Sequence, residues 1–342
     1  MSGKETVLVT GGSGFIGSWC VIALLQQGYT VRTTVRTLNR EGAVRAAIGS
    51  VVDPQDRLSF HAAELTSNAG WDAAVSRCDY VLHVASPVSV SEPKDPEILI
   101  KPAREGARHV VDAAIKAGVK RVVLTSSVAA STPSGKGGDS ISDESVWTDL
   151  NNPKVGAYAR SKTLAERAAW ELIAASNGAT TMATVNPSVV LGPILSPDFS
   201  DSIQVVQRLL SGKVPGIPRI GFCIVDVRDV ADLHIRAMIA PVAAGQRFIA
   251  AGSFAWMEEL AAMLRNRMGS GASKVPTRNL PDFVVRFAGL FDPDLRAVAT
   301  RLGQKREYSS AKAQAMLGWK PRPLDETVFD CADSLIDAKS VS

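Results

Sequence analysis

The sequence predicts an α/β fold: a doubly wound parallel sheet with a smaller, discontinuous second region towards the C-terminus. Three observations carry this. Short Val-, Leu- and Thr-rich runs alternate with amphipathic stretches over the first half, three glycines at three-residue spacing follow the first run, and beyond Pro187 the alternation loosens into proline-punctuated chain. Strand–helix alternation of this kind buries a parallel sheet between two helical layers.

Taken in order, TVLVT (Thr6 to Thr10), TVRTTV (Thr30 to Val35), RLSFHA (Arg57 to Ala62), YVLHVA (Tyr80 to Ala85) and RVVLTS (Arg121 to Ser126) read as strands. Their composition suits a pleated, buried surface. Between them, Ile16 to Gln27 and Ile98 to Lys116 read as helices, and a helix around Tyr158 precedes a sixth strand, MATVNP (Met182 to Pro187). Pro193, Pro197, Pro215 and Pro218 then punctuate a segment with one helix, Ile203 to Leu210. Phe222 to Met238 reads as a strand followed by a helix, RFIAAG as the last strand, and the remainder as helical. These signals divide the chain into a nucleotide-binding unit, 1–187 and 222–252, and a substrate-binding region, 188–221 and 253–342.

With 342 residues, 46% hydrophobic and 21% charged, the chain can bury one large core or two smaller ones. Its 38 basic and 34 acidic residues leave a net charge of +4 without any basic run, which argues against a nucleic-acid partner. No apolar run approaches the length of about 20 residues that spans a bilayer, so no membrane partner is expected. The N-terminal MSGKETVLVTGG runs from a short polar lead into a strand without the pattern of a signal peptide, which points to a cytoplasmic protein. Cys20, Cys78, Cys223 and Cys331 are scattered and read as reduced structural residues, and His61, His83, His109 and His234 lack metal-ligand spacing.

Gly11-x-x-Gly14-x-x-Gly17 stands between the first strand and the first helix. Glycines placed so let the backbone turn tightly and approach a pyrophosphate, which the helix N-terminus then receives. This is the Rossmann arrangement. A site for NAD places an acid at the end of the second strand to hold the ribose 2′-OH, whereas here the residue is Arg36, flanked by Arg32 and Arg40. A guanidinium pairs with a 2′-phosphate, so NADPH/NADP+ is the expected cofactor, with Arg32 the blander strand charge. Glu64, after the third strand, is placed to take the adenine amino group.

In AYARSKTLAE, Tyr158 and Lys162 stand at i and i+4 and project from one helical face. An ammonium beside a phenol favours the phenolate, so the Tyr158 pKa is expected to fall below its usual value of about 10. A phenol so tuned exchanges a proton with a substrate oxygen. The fifth strand ends in Ser126 and Ser127 at the carboxyl edge of the sheet, where a hydroxyl can hold a carbonyl.

In order and spacing, the glycine motif, Ser127 and Tyr158-x-x-x-Lys162 resemble the extended short-chain dehydrogenase/reductase family over essentially the whole chain. GYTVRTTVR, DESVWTD, YARSKTLAE, NPSVVLGP and VDVRDVADLHI are similar to its dihydroflavonol-reductase-like branch of plant flavonoid and cinnamoyl reductases and microbial aldehyde and ketone reductases. The resemblance implies hydride transfer from nicotinamide C4 to a carbonyl carbon, Tyr158 as proton donor, Ser127 holding the oxygen, and Lys162 binding the nicotinamide ribose. It also implies cofactor contacts from Gly11, Ser13, Gly14, Phe15, Ile16 and Gly17. Further contacts are implied at Arg36, Glu64, Leu65, Val84, Ala85 and Ser86, and on the nicotinamide side at Pro187, Ser188 and Val189.

The chain departs from flavonoid reductases at Thr132, where they carry a substrate-gripping Asn, and around Phe222 and Cys223, where they carry a Gln. It also lacks the Asn-Trp-Tyr-Cys-Tyr signature of cinnamoyl reductases. Thr132 and Phe222 are the candidate substrate contacts, joined by Val155 and Ile203. Together they predict a mainly apolar cleft that selects a smaller or more apolar aldehyde or ketone by shape. The reading is thus an NADPH-dependent reductase of aldehydes or ketones acting on a small-molecule carbonyl compound, with a homodimer as the assembly to consider. A sugar-nucleotide epimerase or dehydratase and a non-catalytic dinucleotide-binding protein are the alternatives. Against the first stands Val128, directly after Ser127 where sugar dehydratases carry an acid; against the second stands the intact Tyr158–Lys162 pair.

Overall fold

The computed structural model describes residues 5–87, 93–133, 138–196 and 199–341. Pro197 and residues 134–137 of the segment after Ser127 lie outside the described residues, as do the first four residues. Among the described residues the first half runs β1 (Thr6–Thr10), α1 (Phe15–Gln26), β2 (Thr30–Val35), α2 (Glu41–Gly49), β3 (Leu58–Ala62), α3 (Trp71–Val75), β4 (Tyr80–His83), α4 (Glu97–Lys116) and β5 (Arg121–Thr125). There follow β6 (Ser140–Ser142), α5 (Ala157–Ala175), β7 (Thr181–Pro187), β8 (Val189–Leu191), α6 (Gln204–Leu210), β9 (Gly221–Asp226), α7 (Val227–Ile239) and β10 (Arg247–Ala250). The chain ends with β11 (Phe254–Trp256), α8 (Met257–Met268), α9 (Asp282–Ala288), α10 (Pro293–Ala299), β12 (Arg306–Tyr308), α11 (Ala311–Leu317) and α12 (Leu324–Asp337).

The central sheet has the order β10-β7-β5-β4-β1-β2-β3, and its registered pairs are parallel, with Val7 opposite Val31 and Leu8 opposite Val81. Alternate residues feed opposite layers: Val7 and Val9 join α1 and α7 in the larger core, while Leu8 joins α4 and Trp71 in the other. Both faces of β1 are therefore buried, which is why its sequence is apolar throughout rather than alternating. The strand order reverses between β1 and β4, so their carboxyl ends open a crevice at the switch point, where open α/β sheets bind ligands.

Two small sheets extend this frame: β11-β9-β8, and the parallel pair β12-β6 with Arg306 opposite Ser140. The strand at 222–226, which the sequence reading groups with the nucleotide-binding unit, belongs to the first of these. It pairs with β8 through Val189–Ile224 and with β11 through Phe254–Cys223. The reason is geometric: β10 occupies the free edge of β7 through Arg247–Thr184, leaving β9 no place in the central sheet. Its helix α7 nevertheless returns to the main core. Asp226 caps α7 by accepting from the Arg228 amide at 2.8 Å, a contact whose loss typically costs about 1 kcal/mol. The C-terminal segment is pinned there too, with the fully buried Trp319 donating its indole N–H to the Asp229 carbonyl at 2.8 Å. The C-terminal part, read as helical throughout, thus includes β11 and β12.

Candidate active site

The glycine loop leaves β1 at Gly11, whose φ of +71° lies in the left-handed region that favours glycine. A Cβ there would stand 3.0 Å from Ala85 Cα, and one at Gly17 only 2.2 Å from the Gly11 carbonyl oxygen. Gly12, absent from the sequence-derived set, is as tightly held, since its Cβ would meet Thr33 Oγ1 at 2.0 Å. At Gly14 the nearest atom is Gly11 O at 3.3 Å, so that side of the loop is open. Gly14 also precedes the first turn of α1 with no side-chain cap and no acid in that turn, so the amides there are available to an anion. Phe15 is anchored in the core, while Ser13 and Ile16 are half-buried.

Arg36 follows β2 directly and is exposed. Arg32 takes the blander role: its guanidinium donates to the carbonyls of Ala74 at 2.9 Å and Ser76 at 2.7 Å at the end of α3. Glu64 is exposed after β3, and Leu65 packs so closely on α4 that a Cβ at Gly106 would stand 2.5 Å from its Cδ2. On the far side of the crevice the amides of Val84 and Ala85 both donate to Thr10 Oγ1 at 3.0 Å, and Ser86 follows half-buried. Thr10, a residue the motif reading passes over, thus joins the two strand ends that flank the switch point.

Helix α5 begins after Gly156 and puts Tyr158, Lys162 and Glu166 at successive i, i+4 positions. Its small residue Ala165 packs with Ala103 and Ala107 of α4, drawing the two helices together. The Tyr158 hydroxyl stands next to the side chain of Ser127, and Lys162 Nζ lies 5.9 Å from the Tyr158 ring centroid. Ser127 follows β5 and is buried; its Oγ also accepts from the Ala129 amide at 3.1 Å.

The expected fall in the Tyr158 pKa does not occur. Burial pushes the phenol's pKa up, with the Ser127 side chain acting in the opposite direction. Burial also pushes Lys162 down to about 8, against the raising influence of Glu166. Sequence spacing placed the ammonium beside the phenol but could not show that both are desolvated, and desolvation disfavours each charged form.

Beneath this trio lies a buried polar cluster. Glu166 is fully buried and accepts from Arg247 Nε at 2.6 Å, Ser126 Oγ at 2.5 Å and Asn186 Nδ2 at 3.0 Å. Asn186 Nδ2 also reaches the Ser127 carbonyl at 3.2 Å, and Arg247 Nη2 donates to Ser131 Oγ at 2.8 Å. The stretch bearing Ser127 is therefore fixed from below by β7, β10 and α5. The signal for Glu166 was present in YARSKTLAE, whereas nothing local marks Arg247, 81 residues away.

Beside the trio a cleft of about 60 Å³ is lined by residues including Val128, Ser188, Phe222, Arg301, Arg306 and Tyr308, with Val189 alongside. Pro187 ends β7 and Ser188 donates its amide to Ala250 O at 3.0 Å. The Ser188 hydroxyl is buried and unpartnered among the described residues, so it offers a donor and acceptor to a ligand amide. With the open face at Gly14 and the uncapped start of α1, the residues present fit a dinucleotide.

Phe222 lines the cleft, but Ile203 is fully buried in the core and Thr132 serves as a support: its Oγ1 bonds the Val128 carbonyl and the Tyr308 hydroxyl, each at 3.1 Å. Beside Val128, Val189, Phe222 and Cys223, the segment 301–308 brings two arginines, Gln304 and Tyr308 to the wall, polar side chains that the sequence-derived set did not include. That segment arrives through the pairing of β12 with β6, which no local periodicity announces.

The family model described as the NAD dependent epimerase/dehydratase family matches residues 7–251. Cinnamoyl-CoA reductase 1 of Arabidopsis thaliana is 38% identical over 250 residues, 72% of this chain and 70% of that protein. The structure of yeast methylglyoxal/isovaleraldehyde reductase complexed with NADPH matches with a TM-score of 0.82 at 26% identity, covering 98% of this chain and 100% of that one. Vestitone reductase from alfalfa (Medicago sativa) matches with a TM-score of 0.77 at 27% identity over 99% and 100% of the two chains. The chain belongs to the NAD dependent epimerase/dehydratase family, the extended short-chain dehydrogenases/reductases, and within it to the dihydroflavonol-reductase-like branch.

Proposed function

We propose that this oxidoreductase uses NADPH to reduce an aldehyde or ketone to the alcohol. The observation that carries the reading is the contact between Tyr158 and Ser127, with Lys162 one turn along α5, at the same carboxyl edge as the glycine loop. When bound, the reduced nicotinamide supplies the hydride. Ser127 holds the carbonyl oxygen, and the Tyr158 hydroxyl delivers its proton to that oxygen as hydride addition at carbon moves the C=O π pair onto it. The Tyr158 pKa, raised by burial, keeps the phenol protonated at neutral pH, which suits a proton donor. Lys162 supplies positive charge close to the ring and stabilises the phenolate left behind.

Support for NADPH comes from Arg36 standing where an acid would select NAD, and from the NADPH carried by the yeast relative. Gly11 to Gly17 would receive the pyrophosphate, and Ser188 the nicotinamide amide. The substrate side of the proposed division comprises the chain after Pro187 and the C-terminal segment. The test is loss of NADPH absorbance with a panel of aldehydes, ketones and nucleotide sugars. Turnover of carbonyl compounds is expected; conversion of a nucleotide sugar without net cofactor consumption would overturn the reading.

A further inference from the structure

The wall of the substrate cleft carries charge that its surroundings do not neutralise. Arg301 and Arg306 both line it, and among the described lining residues none is acidic. Arg306 is engaged, its Nε donating to Gln304 Oε1 at 3.0 Å. Lys305 next to it pairs with Glu307 at 3.0 Å, and Arg219 with Asp282 at 2.7 Å. Arg301 differs from all three. Its Cζ stands 5.9 Å from the Phe222 ring centroid, and its guanidinium forms no hydrogen bond or ion pair among the described residues.

The residue is accessible to water, yet enough protein surrounds the guanidinium for burial to push its pKa below the usual arginine range. Both hold for a side chain standing in the wall of an open cleft. The groups facing it are the Tyr308 phenol and the like charge of Arg306. Tyr308 is in turn held by Thr132 Oγ1 at 3.1 Å, and Thr132 by the carbonyl of Val128, the residue after Ser127. One short chain of contacts therefore fixes this wall relative to the carbonyl-holding hydroxyl. Phe222 stands beside the guanidinium, whose N–H groups have no partner among the described residues, and a planar fork of donors matches the two oxygens of a carboxylate.

We propose that Arg301 binds an anionic oxygen group of the substrate, a carboxylate in the first instance, so that preferred substrates are oxo acids rather than neutral carbonyl compounds. The inference rests on the reductase reading and adds a substrate class to it. Arg301 is a specificity residue; the atoms that react remain those around Ser127 and Tyr158.

The experiment compares kcat/KM for matched oxo acids, their methyl esters and phosphate-bearing carbonyl compounds, using the full chain and its Arg301→Met and Arg301→Lys variants. Loss of a hydrogen bond to a charged group predicts a preference of about 10- to 100-fold for acid over ester, abolished in Arg301→Met and partly restored in Arg301→Lys. Affinity for NADPH should stay within about 2-fold, since the glycine loop and Arg36 are untouched, and the rate on the ester should fall far less than the rate on the acid. A preference for the phosphate series that Arg301→Met abolishes supports the same anion anchor with the other source of charge. In parallel, calorimetric titration of the corresponding hydroxy acid into the protein with NADP+ reads the arginine without turnover. Arg301-dependent binding there supports the proposal even if every carbonyl compound fails to consume NADPH, an outcome that would sink the reductase reading alone. Equal rates on acid, phosphate-bearing compound and ester in the unmutated protein, or an equal loss on all three in Arg301→Met, overturns it.

Discussion

Glu166 lies one helical turn beyond Lys162 and receives Arg247 Nε at 2.6 Å, with both side chains of the ion pair almost wholly buried. The carboxylate therefore serves two neighbours: it neutralises a buried guanidinium from β10 and raises the pKa of the lysine beside Tyr158. Breaking such a pair strands a charge in a site it cannot leave.

Glu166→Gln keeps the shape and removes the charge. Unfolding in urea should show a loss of about 3–5 kcal/mol, partly recovered when Arg247→Met removes the partner as well. Without the carboxylate, the Lys162 pKa should drop further below about 8, shifting the alkaline limb of the pH–rate profile towards acid. An unmoved limb in a folded variant would show that Glu166 is structural only.

Tyr158→Phe keeps the ring and deletes the hydroxyl that meets Ser127. Reduction should slow by about 10²–10⁴-fold in kcat, the range for removing a general acid, with NADPH affinity nearly unchanged. In the unmutated enzyme the rate should decline as pH rises through about 8, because the Lys162 ammonium is lost there. Stopped-flow rates with the cofactor saturating report both effects.

Arg36→Glu replaces the exposed residue after β2 by the type of side chain that accepts a ribose hydroxyl. Fluorescence titration should show NADPH bound more tightly than NADH by the unmutated chain, and the order narrowed or reversed in the variant. Equal affinities in the unmutated chain would remove Arg36 from the site.

Acid should destabilise the fold through two buried neutral histidines. Burial pushes His83 down to about 3 and His234 down to about 4, so the unfolded chain binds protons at higher pH than the folded one does. Stability is then lost as pH falls below about 6.5, by up to about 1.4 kcal/mol per pH unit for each histidine. His234 Nδ1 faces the Val230 carbonyl at 2.8 Å and must donate, which leaves Nε2 to accept from Thr125 Oγ1 at 2.7 Å. Urea midpoints at about pH 7.5 and about pH 5 should differ, and His234→Gln should flatten that difference.

The long strands were legible because runs of five apolar or β-branched residues, Thr6 to Thr10 and Thr181 to Val185, leave a signal that needs no tertiary context. Val189–Leu191, Phe254–Trp256 and Arg306–Tyr308 are three residues each, too short for any period, and exist only because a partner strand is there. The same division runs through the site. The glycine loop and the Tyr158–Lys162 spacing are local and could be read, whereas Arg247 and Arg301 reach the site through contacts distant in sequence. The Tyr158 pKa was misjudged for a related reason: neighbouring charge is visible in a helix, but burial is not.

The cleft wall has one more consequence, for how such enzymes diverge. Lys305 N meets Asp139 Oδ1 at 3.1 Å across 166 residues, and Gly303 N meets the Arg219 carbonyl at 2.7 Å. Ser127, Tyr158 and Lys162, by contrast, all precede β7, and the family match ends at residue 251, before Arg301. The residues proposed for the reaction and the arginine proposed for selectivity thus occupy separate stretches of chain, joined at the short β6–β12 pairing. A substitution in the later stretch can therefore change which molecule is held while the earlier stretch stays intact, so that the two are free to vary independently.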